Sequence, residues 1–103
     1  MLHSVTLSYL YTPDEIKVHF DEHKAWLVEG FAQGLIILAG PLKNGGGGYI
    51  LFNSEDIQVV EEFLSSDPFV KYGLVQIDIF STEPALCSKD FPLQWAPAAN
   101  RIG

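Results

Sequence analysis

Two apolar runs, Leu35-Ile36-Ile37-Leu38-Ala39 and Tyr49-Ile50-Leu51-Phe52, decide the fold of this chain. The first follows Gly34, a residue suited to the left-handed cap of a helix, and stops at Gly40-Pro41. It is too short for a helix of its own and reads as a strand covered on both faces. The second run begins directly after Gly45-Gly46-Gly47-Gly48. The low-complexity glycines make the two strands a hairpin with a mobile connection.

On the N-terminal side of that hairpin, Ser4 to Tyr11 alternates Val5, Leu7, Tyr9 and Tyr11 as a half-buried strand does. Thr12-Pro13-Asp14-Glu15 then has the form of a capping box with Pro at the first helical position. The helix it opens places Ile16, Phe20, His23, Leu27 and Phe31 on one stripe and ends at Gly34. On the C-terminal side, Asn53-Ser54 offers caps for a second helix to about Ser65, with Ile57, Val60, Phe63 and Leu64 on one side. Asp67-Pro68 closes it. Leu74 to Phe80 follows as a fourth strand, with Val75, Ile77 and Ile79 on one face and Gln76 and Asp78 on the other.

The order β-α-β-β-α-β predicts an α+β, ferredoxin-like sandwich, an antiparallel four-stranded sheet with two helices on one face, over residues 1–81. The uncovered face, expected to carry residues such as Tyr9 and Tyr11 or their strand neighbours, calls for a second copy, with a cavity between two sheets. Residues 82–103 form a tail with three of the six prolines but also Phe91, Leu93 and Trp95. It is too apolar for a linker and is expected to lie on its own sheet or on the partner.

Composition narrows the function. The 103 residues hold one core, and 48% hydrophobic content with 18% charged argues against disorder. A net charge of −7 with scattered Lys and Arg disfavours nucleic acid and anionic membranes. One cysteine, Cys87, can form neither an internal disulfide nor a thiolate zinc site, and no apolar run approaches the roughly 20 residues of a membrane span. The expectation is a cytoplasmic protein with no nucleic-acid or membrane partner.

Two side chains could carry chemistry. A histidine on a buried helical stripe, such as His23, is costly unless a group accepts its N–H, either a backbone carbonyl or a carboxylate. Asp67 would be an ordinary N-cap before Pro68, or it would orient His23 and raise the basicity of the ring's other nitrogen. His19-Phe20-Asp21-Glu22-His23 also fits the H-x-x-E-H zinc pattern, with Glu61 or Glu62 as a remote third ligand, but enzymes of that type are far larger. No metal and no cofactor are expected. Gly45 to Gly48 lacks the Lys-Ser/Thr ending of a phosphate-binding loop and reads as a turn or a flap. Cys87 reads as an unreactive thiol, and Trp26 and Trp95 as packing residues.

His23-x-x-Trp26-Leu27, Gly34-Leu35, Leu38-Ala39-Gly40-Pro41 and Asp67-Pro68-Phe69 with Gly73 close behind, in this order and spacing, resemble the YciI-like (YCII-related) family from about Tyr9 to Phe80. The resemblance implies a dimeric α/β barrel with a His-Asp dyad, here His23 and Asp67, in a pocket between sheet and helices. It places Gly40, Pro41 and Phe69 among the substrate-binding residues. Many members carry an Arg three residues before the His, where this chain has Phe20. The expected activity is cofactor-independent proton transfer on a small cyclic or aromatic substrate, of a lyase, isomerase or dehydrochlorinase kind. The rival is a non-catalytic dimer that binds a small ligand or a protein, distinguished by whether Asp67 faces solvent and His23 a carbonyl.

Overall fold

The computed structural model describes Met1–Gly103. Its main body comprises β1 (Leu2–Tyr9), α1 (Pro13–Lys17), α2 (Phe20–Ala32), β2 (Ile36–Pro41), β3 (Gly47–Asn53), α3 (Ile57–Ser65), α4 (Pro68–Lys71) and β4 (Val75–Thr82). The four strands form one antiparallel sheet in the order β2-β3-β1-β4. The register sets Val5 opposite both Ile50 and Ile79, and Leu7 opposite Ile77. With side chains alternating along each strand, these residues share one face with Phe52 and Val75. Ile16, Trp26, Val60, Leu64 and Phe69 from the helices close over that face to complete the core. The α+β sandwich expected from the sequence is therefore present.

Several details differ from the sequence expectation. The first helix is two helices. Thr12 caps α1 through the expected box, with Glu15 Oε2 3.0 Å from the Thr12 N–H and the Glu15 N–H donating to Thr12 Oγ1. The His19 N–H then donates to the Ile16 carbonyl in a tight i to i−3 step, and α2 starts anew at Phe20. The buried face of α2 is His23, Trp26 and Gly30, while Phe20 is 50% exposed. Gly30 explains the rotation: a Cβ there would lie 2.8 Å from Ile36 Cγ1 and 2.9 Å from Phe63 Cε2, so only glycine lets the helix press this closely on β2 and α3.

The cap of α3 is Asp56, whose carboxylate accepts from the Gln58 N–H at 2.9 Å, rather than Asn53 or Ser54. Asn53 is still a strand residue opposite Leu2, and the Ser54 N–H is held by the Met1 carbonyl. Leu35–Ala39 is not covered on both faces. β2 is the sheet edge, a bulge falls between Ile36 and Leu38, and Leu38 stands 47% exposed.

Tyr9 belongs to the helix-covered face, opposite Val75, and Tyr11 lies beyond the strand. The open face instead carries Ser4, Thr6 and Ser8 in its centre, flanked by Leu38, Leu51, Tyr49 and Phe80. The glycine-rich hairpin is pinned rather than loose. Asn44 Oδ1 accepts from the Gly46 N–H at 2.8 Å, the Gly46 carbonyl accepts from the Tyr9 N–H at 2.9 Å, and Leu42 bonds both Gly45 and Gly47. At Gly47 a Cβ would run into the Leu7 carbonyl, so the close approach of β3 to β1 requires glycine there.

The tail folds into a small unit of its own. β5 (Leu86–Ser88) and β6 (Asn100–Ile102) pair in parallel around a 3-10 turn at Leu93–Trp95. Its hydrogen bonds stay inside the unit, as in Asn100 N–H to the Ala85 carbonyl and the Arg101 guanidinium to the Phe91 and Lys89 carbonyls. Glu83 joins it to the body, 3.5 Å from the Met1 ammonium.

Candidate active site

Three local events in the fold bring His23 and Asp67 together. The buried stripe of α2 turns His23 toward α4. Trp26, one turn along the same helix, donates its Nε1–H to the Phe63 carbonyl and Ser66 Oγ, both at 3.0 Å, which ties α2 to the end of α3 just before Asp67. Asp67 then caps α4. Its carbonyl accepts from Val70 and Lys71, its Oδ1 accepts from the Phe69 N–H at 3.1 Å, and Pro68 takes the first helical position.

The same Oδ1 accepts from His23 Nδ1 at 2.8 Å. Both sequence readings of Asp67, cap and histidine partner, are thus met by one oxygen. The side chain is 0% exposed and His23 8% exposed. Asp67 Oδ2 is buried and has no donor. A desolvated carboxylate oxygen left without a partner lowers stability, so capping alone does not account for this arrangement.

Packing fixes the imidazole as firmly as the hydrogen bond does. Phe69 stacks on one side of the His23 ring with centroids 4.0 Å apart and planes 5° from parallel. The Trp26 ring centroid lies 5.6 Å from that of His23, and Trp26 stacks in turn on Phe63 at 4.7 Å. With Nδ1 donating to the carboxylate, Nε2 holds the free lone pair and is the nitrogen able to take a proton.

His23 lines a pocket of about 290 Å³ between α2 and the sheet. Gly40 and Pro41 line it, as the resemblance implies. Phe69 does not: it is buried behind His23 and supports the ring. Leu7, Tyr9, Leu27 and Ile50 supply apolar wall, and Phe20 stands at the rim. Sequence reasoning missed Tyr9 as a wall residue. Its alternation with Val5 and Leu7 was the available signal, because all three must share a face. No Lys or Arg is among the lining residues.

The zinc pattern does not assemble. The His19 ring packs on Tyr72 with centroids 4.4 Å apart, and its Nδ1 lies 3.8 Å from Glu22, while His23 turns to Asp67. No group of three or more His, Cys, Asp or Glu side chains converges in the chain. No helix is long and apolar enough to cross a membrane. Cys87 is a half-buried free thiol in the tail, and Trp26 is a core residue.

No family model matches the chain, and no curated protein matches it in sequence. Among solved structures, it is similar to the 5-chloro-2-hydroxyhydroquinone dehydrochlorinase TftG from Burkholderia phenoliruptrix AC1100, determined in complex with 2,5-dihydroxybenzoquinone. The two are 24% identical, with a TM-score of 0.64 over 82% of this chain and 95% of that one. The likeness shows that the fold is shared.

Proposed function

We propose that this chain is a small YciI-like enzyme in which His23, oriented by Asp67, acts as a general base on a small cyclic or aromatic substrate. The buried Nδ1 to Oδ1 hydrogen bond of 2.8 Å beside an apolar pocket carries the proposal. Such a partner fixes the tautomer that leaves Nε2 basic, and general-base help of this kind contributes roughly 10² to 10⁴ in rate. A solvent-facing Asp67 with His23 on a carbonyl would have favoured the binding-module rival; the buried pair favours the enzyme. The dehydrochlorinase of similar fold, solved with a six-membered quinone, is consistent with a ring substrate.

His23 Nε2 takes a proton from a C–H or O–H of the ring. In an isomerase it returns that proton to another atom; in a lyase it passes it to solvent as an anionic group leaves. No serine or cysteine stands in the pocket wall to act as a nucleophile. The proposed enzyme is a cytoplasmic homodimer that needs no metal or cofactor, paired through the open sheet face, where Phe80 is 69% exposed.

The test is a panel of chlorinated hydroxyhydroquinones and small lactones, followed by chloride release and by proton exchange in deuterated water. Turnover by the native protein, abolished in His23→Ala with the fold retained, is the expected result. Equal turnover by His23→Ala would overturn the proposal, as would the absence of turnover and exchange across the panel.

A further inference from the structure

The pocket holds a second polar side chain that the dyad does not use. Tyr9 ends β1 on the helix-facing side and lines the same pocket as His23. Its ring meets Phe69 edge-on, with centroids 6.1 Å apart, and Phe69 is the ring stacked on His23. Phenol and imidazole therefore both rest on Phe69.

The Tyr9 hydroxyl has no hydrogen-bond partner in the protein, whereas that of Tyr49, on the open face of the sheet, is engaged by Ser4 Oγ at 2.8 Å. A tyrosine in an apolar wall ordinarily finds a partner for its O–H; here no protein group supplies one, which leaves the hydroxyl to solvent or to a ligand. Desolvation pushes the Tyr9 hydroxyl above the usual phenol range, so it stays a neutral donor.

The wall also restricts what that ligand can be. None of the six Lys and Arg residues lines the pocket, and the chain carries a net charge of −7. A carboxylate entering would lose hydration without gaining a cation. An uncharged ring loses little and gains the apolar contacts of Leu7, Leu27 and Ile50. A volume of about 290 Å³ suits a single ring.

We infer that Tyr9 is a ligand-binding residue of this pocket, donating its hydroxyl hydrogen bond to a hydroxyl or carbonyl oxygen of an uncharged six-membered ring and excluding ring carboxylates. The part that makes this ring a substrate rests on the general-base reading of His23; the binding role of Tyr9 does not.

Three probes of one size separate the possibilities: acetophenone, whose oxygen only accepts; ethylbenzene, with no oxygen; and benzoate, an anion. Affinities for the native protein and Tyr9→Phe are read by nuclear magnetic resonance titration, with Tm confirming the fold. Acetophenone should bind the native protein at least about fivefold more tightly than benzoate, and Tyr9→Phe should weaken acetophenone about fivefold while leaving ethylbenzene unchanged. An acceptor-only probe removes His23 from the comparison, because a bare Nε2 cannot donate to it. Equal binding of benzoate, an acetophenone affinity indifferent to Tyr9→Phe, an equal loss for ethylbenzene, or no binding of acetophenone at millimolar concentration would each overturn the inference. None of the probes is turned over, so the general-base reading stands or falls separately on His23→Ala.

Discussion

Replacing Asp67 by Asn separates the two tasks that its Oδ1 performs. The amide oxygen can still accept from the Phe69 N–H and from His23 Nδ1, now 3.1 and 2.8 Å away. The amide nitrogen then falls where Oδ2 is buried without a partner, and an unsatisfied buried donor costs about 1–3 kcal/mol. Removal of a desolvated charge offsets part of that cost, leaving a net change below about 2 kcal/mol. If the amide instead turns its nitrogen to His23, Nδ1 must accept, the proton moves to Nε2, and the base is lost outright. Either orientation removes the negative charge behind the ring, and rate should fall by about 10² to 10⁴. Asp67→Ala should match that loss while destabilising by about 2–4 kcal/mol, since it also strips the cap and leaves two buried N–H groups unpaired. Nitrogen-15 spectra of the imidazole need no substrate: native His23 should show Nδ1 protonated and Nε2 bare. A native ring protonated at Nε2, or one whose nitrogen shifts are indifferent to Asp67→Asn, would refute the reasoning.

Other outcomes follow from single contacts. Gly30→Ala should destabilise by about 1–3 kcal/mol in urea unfolding despite the better helix propensity of alanine, because its Cβ meets Ile36 and Phe63. Tyr9 should ionise above the usual phenol range in an alkaline absorbance titration, and Tyr9→Phe should remove that late step. The raised folded-state value has a definite sign: its contribution to stability is complete below the unfolded phenol range near pH 10 and is lost as pH rises through the folded one, so the native protein should lose more stability than Tyr9→Phe there. Light scattering at tens of micromolar should give twice the 11.4 kDa chain mass; a monomer would remove the proposed sheet-to-sheet dimer.

The layer architecture was legible because each element carries a local signature. Alternation marks β1 and β4, the capping box marks the start of α1, and Gly34 adopts the positive φ of 73° expected of a helix-ending glycine. What local patterns do not contain is the rotation of α2 about its axis. Counting apolar residues gives a stripe through Phe20 and Phe31, yet the helix settles on Gly30, since the closest approach is possible where a side chain is missing. That preference depends on Ile36 and Phe63, which are neighbours only after folding. Likewise the strand run Leu35–Ala39 looks doubly buried because its composition does not reveal that β2 lies at the sheet edge.

The site divides along the same line. His23 and Asp67 were readable because each is costly where it stands: an imidazole on a buried stripe and a carboxylate at a helix end must find partners. Phe69 carries no such cost, and the positions of Phe69 and Tyr9 depend on geometry that forms only on folding. Phe69 enters the core because Asp67 caps α4 and thereby aims the next turn inward, so it reaches the face of His23 rather than the pocket. Tyr9 reaches the pocket because the Gly46 carbonyl holds its N–H and Val75 lies opposite, which keeps the strand regular to its last residue. The hairpin glycines, lacking any phosphate-binding signature, thus act on the site through the backbone. Gly47 among them allows β3 to approach β1 closely enough for the wall bearing the phenol to form.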